Sequence, residues 1–248
     1  MNSIFANTIY TGQSVVTDRY LTFNGKNIAG LTKSAKGQVL GRYDALTPAF
    51  IDPHSHIGME RSGEPSGEGE ANDHLDSILA LTDALDSVQM DDKAFRDAVE
   101  SGVLYSCVVP GSGNIIGGQS AVIRNYANDS TAALIVRAGL KAAFGYNHMS
   151  TRSWQGKRPN TRMGAIAILR GRLEEVRRKT QKFRKTKGSK KEEITFSAED
   201  TVLQDLLAGK FRLRAHVHKI DDIAALLRLV DEFKIKATIE HAMDVHQS

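Results

Sequence analysis

Two histidines separated by one residue end an apolar stretch near the start of the chain. Residues 47–53 read Thr-Pro-Ala-Phe-Ile-Asp-Pro, and His54 and His56 follow them. Side chains alternate between the two faces of a β-strand, so both imidazoles would project from one side, about 6.6 Å apart. Imidazoles this close can bind one metal ion. A pair of core or surface histidines would show the same spacing, but the apolar run before them favours a metal site at the end of a core strand.

A second histidine pair and one further histidine follow in the last fifth of the chain. His216 and His218 end the stretch Arg-Leu-Arg-Ala-His-Val-His, and His241 ends Lys-Ala-Thr-Ile-Glu-His. Between these stretches, apolar residues recur at spacings of three and four over 223–233, which predicts a helix. A strand–helix–strand unit has parallel strands. We therefore expect these three histidines at the same edge of a sheet as the first pair.

One lysine stands inside an apolar stretch. Residues 140–144 read Leu-Lys-Ala-Ala-Phe and are predicted to form another core strand. A lysine is almost never fully buried unless its charge has a partner. Lys141 either forms an ion pair or reaches the surface, or it points into a functional site, and the sequence leaves these alternatives open.

The stretch 110–120 is rich in glycine and reads Pro-Gly-Ser-Gly-Asn-Ile-Ile-Gly-Gly-Gln-Ser. It follows the apolar run 103–109, which is predicted to be a parallel strand buried on both faces. No Gly-Lys-Ser/Thr follows, and the Gly-x-Gly-x-x-Gly spacing is absent, so a nucleotide-binding loop is disfavoured. We expect a loop in which the backbone packs tightly near a ligand, with amides available to an anionic group.

Composition and cysteine content limit the class of protein. The chain has 248 residues, of which 41% are hydrophobic, and this length suffices for one large domain with a small companion. No apolar run approaches the roughly 20 residues of a membrane span, and the first residues lack the pattern of a secretory signal. We expect a soluble, cytoplasmic protein without membrane contact. Cys107 is the only cysteine, which excludes an internal disulfide bond, and its apolar neighbours predict a buried thiol.

Most of the positive charge lies in one segment. The formal net charge is +4, but residues 170–191 contain eleven Lys or Arg and two Glu, so the rest of the chain is slightly acidic. A helix is predicted over 164–176, and the basic residues continue beyond it. The segment has one aromatic residue, Phe183, and no stacking pattern. Nucleic-acid binding is therefore disfavoured against a solvated helix end with a mobile loop.

The first 48 residues read as short strands and turns. Asn24 and Gly25 separate two β-prone runs and predict a tight hairpin. In the rest of the chain, strand-like and helix-like stretches alternate, which is typical of an α/β fold. We expect a small β-subdomain over residues 1–48 and an α/β domain over residues 49–248.

These motifs, in this order, resemble the amidohydrolase superfamily, near its imidazolonepropionase-like branch. The resemblance rests on Thr-Pro-Ala-Phe-Ile-Asp-Pro-His-Ser-His, on the glycine-rich stretch, and on the strands that carry His216 and His241. It implies an incomplete TIM-type (β/α)8 barrel of about six strands, preceded by a small β-sandwich segment. The function that it implies is a metal-dependent hydrolase acting on carbon–nitrogen bonds through metal-activated water.

The resemblance also implies roles for individual side chains. One or two divalent metal ions, with Zn²⁺ as the expected ion, would be bound by His54, His56, Lys141, His216 and His241. Lys141 would bridge two metals if it is carboxylated. Tyr146 stands where some relatives carry a glutamate, so the number of metals stays open. His218 and His241 are the candidate catalytic residues, and the latter would bind a second metal or the substrate.

The general base of this superfamily is an aspartate on the eighth strand, which has no counterpart before Ser248. We therefore expect a truncated member that is inactive unless another chain completes it. The alternative is a non-catalytic, metal-binding or scaffolding relative. The expected partners are a small-molecule substrate and, in the full-length form, further copies of the same chain as a homo-oligomer.

Overall fold

The computed structural model of the chain describes residues 1–61, 63–188 and 192–247. The end of the basic segment, residues 189–191, therefore lies outside the described residues. The chain divides into two compact units, Met1–Phe50 and Ile51–Ser248.

The first unit is built on a four-stranded sheet. Its strands are β1 (Asn2–Tyr10), β2 (Val15–Asn24), β3 (Asn27–Thr32) and β4 (Gln38–Leu46). The order is β3-β2-β1-β4, with antiparallel pairing throughout except between β1 and β4, which are parallel. Asn24 pairs with Asn27, and Gly25 has a positive φ of 57°. The predicted hairpin is confirmed, but its two turn residues are Gly25 and Lys26, one position later than the predicted Asn24 and Gly25. Glycine adopts the positive φ at the first turn position without strain.

The second unit contains a curled six-stranded sheet. Its strands are β5 (Phe50–Ser55), β6 (Val103–Val108), β7 (Ile116–Arg124), β8 (Leu134–Ala143), β9 (Arg212–Val217) and β10 (Lys236–His241). The order is β10-β9-β8-β7-β6-β5, so β5 and β10 are the two edge strands. The predicted incomplete TIM-type barrel with about six strands, preceded by a smaller β segment, is confirmed.

The glycine-rich stretch departs from its prediction as a loop. Its second part forms β7, which pairs antiparallel with both β6 and β8. The prediction that β6 is a parallel strand is therefore wrong for its pairing with β7. Gly118 has a φ of 126°, and the side chain of Thr82 lies where a Cβ atom would stand. The Thr82 hydroxyl donates to the carbonyl oxygen of Gly117 at 2.8 Å. The glycines thus admit a neighbouring segment against the sheet.

Helices connect and cover this sheet. They are α1 (Ala84–Ser87), α2 (Lys93–Glu100), α3 (Ser130–Ala133), α4 (Asn147–Ser150), α5 (Arg162–Lys185), α6 (Ala198–Leu207) and α7 (Ile220–Phe233). The unit formed by β9, α7 and β10 has parallel strands, as predicted. The buried core between the helices and the sheet includes Leu169 and Leu173 of α5, Leu213 of β9 and Leu226 of α7. Among the described residues, no helix combines the length and the apolar character that crossing a bilayer requires.

The helix α5 continues through most of the basic segment instead of ending near residue 176. Asp200, at the start of α6, accepts hydrogen bonds from Arg172 at 2.7 Å and from Lys179 at 2.6 Å. Burial alone would raise the pKa of Asp200, but hydrogen bonds from these two cations lower it to about 2. Lys179 lies in the additional turns of α5 beyond residue 176, so its bond to Asp200 connects those turns to α6. Local sequence patterns do not reveal this contact.

Candidate functional site

Five histidines lie together where β5, β9 and β10 end. The distances between neighbouring ring centroids run from 4.4 Å for His216 and His241 to 5.5 Å for His54 and His56. We call this group the histidine cluster, and its members are His54, His56, His216, His218 and His241. The structure therefore brings together all five histidines that the sequence analysis singled out.

The register of the last two strands sets one side of the cluster. Glu240 pairs with His216 and His241 pairs with Val217, so β9 and β10 end at the same level. His241 has a φ of 71° and Ala242 a φ of 46°. Two consecutive non-glycine residues in the left-handed region are strained, and such strain is concentrated at functional sites. The regular alternation of side chains along β10 therefore ends at His241.

A buried carboxylate fixes the orientation of the first histidine. Nδ1 of His54 lies 2.7 Å from Oε2 of Glu240. The same carboxylate accepts from the Thr238 hydroxyl at 2.9 Å and from Nη2 of Arg214 at 3.1 Å. Burial alone would raise the pKa of Glu240, but hydrogen bonds from His54 and Thr238 lower it to about 2. An ionised carboxylate only accepts, so Nδ1 carries the proton. Nε2 of His54 is buried and has no hydrogen-bond partner among the described residues.

The second histidine is held in the same tautomer by a backbone oxygen. Nδ1 of His56 lies 2.7 Å from the carbonyl oxygen of Val109. A carbonyl oxygen only accepts, so this nitrogen also carries the proton and leaves a lone pair on Nε2. Burial lowers the pKa of His56, which favours the neutral ring. Histidines that bind metals have this arrangement, with one ring nitrogen donating to a carboxylate or carbonyl and the other free for the metal.

The third expected ligand has a different contact. Nδ2 of Asn147 lies 3.1 Å from Nε2 of His216. An amide nitrogen donates, so the lone pair of Nε2 is engaged and the proton of the neutral ring is on Nδ1. Burial, together with the nearby charges of Lys141 and His241, lowers the pKa of His216 to about 3. The ring is therefore neutral in the native protein over the whole range in which free histidine titrates.

The ring nitrogens of His54 and His56 are in a state that suits a metal ion. The five histidines of the cluster together, however, do not converge on one metal position. Across residues 1–61, 63–188 and 192–247, no group of three or more His, Cys, Asp or Glu side chains is arranged to hold a metal. Nδ1 of His218 is a second cluster nitrogen that is buried without a hydrogen-bond partner in this part of the chain. A buried polar atom without a partner costs free energy, so these nitrogens are sites where a ligand would be stabilised.

The lysine on β8 is fully buried beside the cluster. Its Nζ donates to the carbonyl oxygens of Pro110 and Gly111 at 3.0 and 3.1 Å, and to the Ser112 hydroxyl at 2.9 Å. Burial lowers the pKa of Lys141 to about 7. Its charge in turn lowers the pKa of three cluster histidines. Lys141 therefore does not reach the surface, which was one of the alternatives left open by the sequence. Its described hydrogen bonds go to neutral oxygens and not to a carboxylate partner.

Sequence reasoning missed four polar residues around the cluster, namely Asn147, Arg214, Thr238 and Glu240. Thr238 and Glu240 are two positions apart on β10, as Arg214 and His216 are on β9. Alternation therefore places each pair on one face of its strand. This spacing was a usable signal for polar residues facing the same interior as the histidines.

A cavity of about 290 Å³ lies beside the cluster. His218 and Asn147 line it, as do the cations Arg162 and Lys219. Tyr146 also lines it and is 72% exposed. A cavity of this size accommodates a small organic molecule next to the histidines.

Comparisons with known proteins point in one direction. The chain is similar to a curated protein named amidohydrolase tasK from Hapsidospora irregularis, with 26% sequence identity over 229 residues. The aligned region covers 82% of this chain and 23% of that protein. The fold matches the crystal structure of an amidohydrolase from Thermotoga maritima MSB8, with a TM-score of 0.85 and 26% identity. That match covers 100% of this chain and 66% of the solved chain.

No protein-family model matches the chain. The chain spans less than two thirds of the length of each of the two proteins described above. The two similarities relate the chain to the amidohydrolase superfamily, as the sequence resemblance indicated.

Proposed function

We propose that this chain is a metal-dependent hydrolase that cleaves carbon–nitrogen bonds by means of a metal-activated water. The similarity to two proteins named amidohydrolases supports the hydrolase class. The observation that supports metal dependence is that His54 and His56 are in the same tautomer. His54 and His56 each donate from Nδ1 to a fixed acceptor, which leaves both Nε2 lone pairs available.

In this proposal, His54, His56 and His216 hold one divalent ion, and Lys141 with His241 hold a second where two are bound. A bound Zn²⁺ would supply a water with a pKa near 7 and would polarise the scissile carbonyl. The Asn147 amide has to turn or move away from His216 before that ring offers a lone pair. The protein's own contribution is therefore to orient the ligands and to keep the rings neutral by burial.

Carboxylation of the lysine is the finer part of the proposal. Carbon dioxide adds to a neutral amine: the nitrogen lone pair forms an N–C bond, one C=O π pair moves onto oxygen, and the released proton passes to solvent water. Because burial lowers the pKa of Lys141 to about 7, a substantial fraction is neutral at physiological pH. The carbamate would have to give up at least part of the present contacts with Pro110, Gly111 and Ser112.

In this proposal, His218 and His241 contact the substrate, and their ring centroids are 5.2 Å apart. Burial lowers the pKa of His241, and the charge of Lys141 acts in the same direction, which favours a neutral ring that can accept a proton. His218 lines the cavity directly. We assign these two imidazoles to hydrogen bonding and proton transfer at the reacting group.

The cavity favours a substrate with an acidic group. Arg162 and Lys219 present two cations to it, while Asp222 presents one carboxylate, 3.4 Å from Arg162. A carboxylate on the substrate would complete this charge pattern. A small amide or cyclic amide that bears a carboxylate is therefore the proposed substrate class.

Metal analysis tests the proposal on the purified chain. The metal-free protein is incubated with Zn²⁺, desalted and analysed by mass spectrometry for bound metal. We expect near-stoichiometric zinc in the wild type and its loss in a His54→Ala/His56→Ala double variant. A His74→Ala/His246→Ala variant removes the same number of imidazoles outside the cluster and should keep the metal. A wild-type chain that retains no divalent ion would overturn the proposal, and metal without hydrolysis would favour the non-catalytic alternative.

A further inference from the structure

The two edge strands of the six-stranded sheet contact each other through side chains. Adjacent strands lie about 4.8 Å apart, so the edges of a flat six-stranded sheet would be roughly 24 Å apart. Yet His54 on β5 and Glu240 on β10 form a 2.7 Å hydrogen bond. Arg214, on the neighbouring strand β9, adds a 2.6 Å bond to the carbonyl oxygen of Pro53 on β5. The curl of the sheet makes both contacts possible.

Glu240 is the centre of this connection. Its carboxylate accepts from three side chains on three strands, which are His54 on β5, Arg214 on β9 and Thr238 on β10. The Glu240 side chain is only 10% exposed, and that of Arg214 is 14% exposed. Buried charges in this arrangement are expensive to separate, because removal of one partner leaves the other without compensation. The network therefore resists rearrangement, and its 2.7 Å hydrogen bond to Nδ1 orients His54.

We propose that Glu240 is a positioning residue for His54. It fixes the plane and tautomer of the imidazole, with the proton on Nδ1, so that the Nε2 lone pair is presented to the histidine cluster. The carboxylate is held by donors of the chain itself, which suits orientation of a ligand and leaves proton transfer to other groups. The role in metal binding rests on the proposed function, whereas the tautomer of His54 is a property of the metal-free protein.

The first test measures the tautomer without metal. Two-bond and three-bond couplings between ring protons and ¹⁵N nuclei show which imidazole nitrogen carries the proton, and the His54→Ala variant assigns the His54 signals. We expect the Nδ1–H form in the wild type and in Glu240→Gln, since an amide oxygen still accepts. Glu240→Leu removes the acceptor, and the Nε2–H form should become the major species. An unchanged Nδ1–H signal in folded Glu240→Leu would overturn the inference.

The second test measures Zn²⁺ affinity by chelator competition. Loss of the partner that orients a metal-binding histidine typically weakens binding roughly 10- to 100-fold. We expect this loss in Glu240→Leu, a smaller loss in Glu240→Gln and a loss of a few fold in Thr238→Val. Glu232→Gln is the matched control, because Glu232 forms an ion pair with Arg170 away from the cluster. Its affinity should equal that of the wild type.

Folding is controlled separately, since Glu240→Leu leaves the Arg214 charge buried and unpaired. The double variant Glu240→Leu/Arg214→Met removes both charges and should fold with the same weakened zinc binding. If the wild type binds no zinc, the proposed function fails, and the tautomer measurement still decides the inference about Glu240. If the wild type and the folded leucine variants bind zinc equally well, the inference fails and the proposed function stands.

Discussion

The amide nitrogen of Asn147 lies 3.1 Å from Nε2 of His216, so a residue on α4 determines which ring nitrogen of a proposed ligand carries the proton. Asn147→Asp replaces the donor with a carboxylate that only accepts. We expect the proton to move to Nε2, which frees Nδ1, and the pKa of His216 to rise from about 3 because a negative charge stabilises the imidazolium. Ring ¹⁵N spectra against pH measure both effects. If Asn147→Asp left the tautomer and the pKa of His216 as they are in the wild type, the role given to this amide would be wrong.

Acid should destabilise the native state through a histidine outside the cluster. Burial lowers the pKa of His148 to about 4, although the Asp222 carboxylate and the Ala143 backbone act in the opposite direction. In the unfolded chain this ring gains a proton near pH 6.5, whereas in the native state it does so only near pH 4. Stability present above pH 6.5 is therefore lost as the pH falls from 6.5 to 4, by about 1.4 kcal/mol per pH unit for one histidine.

The variant His148→Leu tests this assignment. Urea unfolding at pH 5 and pH 7 should show a slope of stability against pH that is smaller than that of the wild type by the contribution of one proton. His246→Leu, which changes an exposed histidine, should leave the slope unchanged. Equal slopes in the wild type and His148→Leu would rule out a role for His148.

Alkali should stabilise the native state through Lys141, because stability again rises with pH when the native pKa is lowered. Its native pKa is about 7, against an ordinary value of 10.5, so between these two values the unfolded chain holds a proton that the native state has released. Stability should rise with pH across that range by up to about 1.4 kcal/mol per pH unit. Lys141→Met removes this rise and also leaves the carbonyl oxygens of Pro110 and Gly111 without their donor, at a cost of about 1–3 kcal/mol each.

Unfolding by urea at pH 7.5 and pH 9.5 measures both effects of Lys141→Met. Lys210→Met is the control, because Lys210 is exposed and pairs with Asp205 at 2.7 Å. It should retain the wild-type slope. If Lys141→Met retained that slope too, another group would have to account for the gain in alkali.

The charged wall of the cavity should govern the choice of substrate. For pairs of small amides that differ only by a carboxylate, we expect a lower KM for the acidic member. Lys219→Gln and Arg162→Gln should each reduce this preference about tenfold, equivalent to roughly 1.4 kcal/mol, with little change in kcat. Lys93→Gln changes an exposed lysine on α2 and should have no effect. A preference that survives both cavity variants would remove acidic amides as the substrate class.

Local patterns were sufficient to predict much of this molecule. Strand alternation and the apolar period of α7 predicted the parallel unit that carries His216 and His241. The apolar stretch before His54 correctly predicted a strand, but the expectation of a buried core strand is wrong, because β5 lies at the edge of the sheet and Phe50 and Ile51 are exposed. These features depend on neighbours within a few residues. Because strand ends meet at one sheet edge, the histidine cluster followed from the order of the elements.

Contacts between distant residues were beyond such reasoning. His54 and Glu240 are separated by 186 positions, and no periodicity links them. The continuation of α5 depends on Asp200, which belongs to another helix. The glycines of β7 were taken for a loop because the reason for them, the approach of Thr82, lies in a segment more than thirty residues earlier.

The edge-to-edge hydrogen bond also has a kinetic meaning. Joining residues so far apart in the chain closes a very long loop, and contacts of this kind form late in folding because the entropy of closure is lost before they are made. An ion held by His54 would then stabilise the native state without stabilising the transition state. Zinc should accordingly slow the unfolding rate while leaving the folding rate almost unchanged.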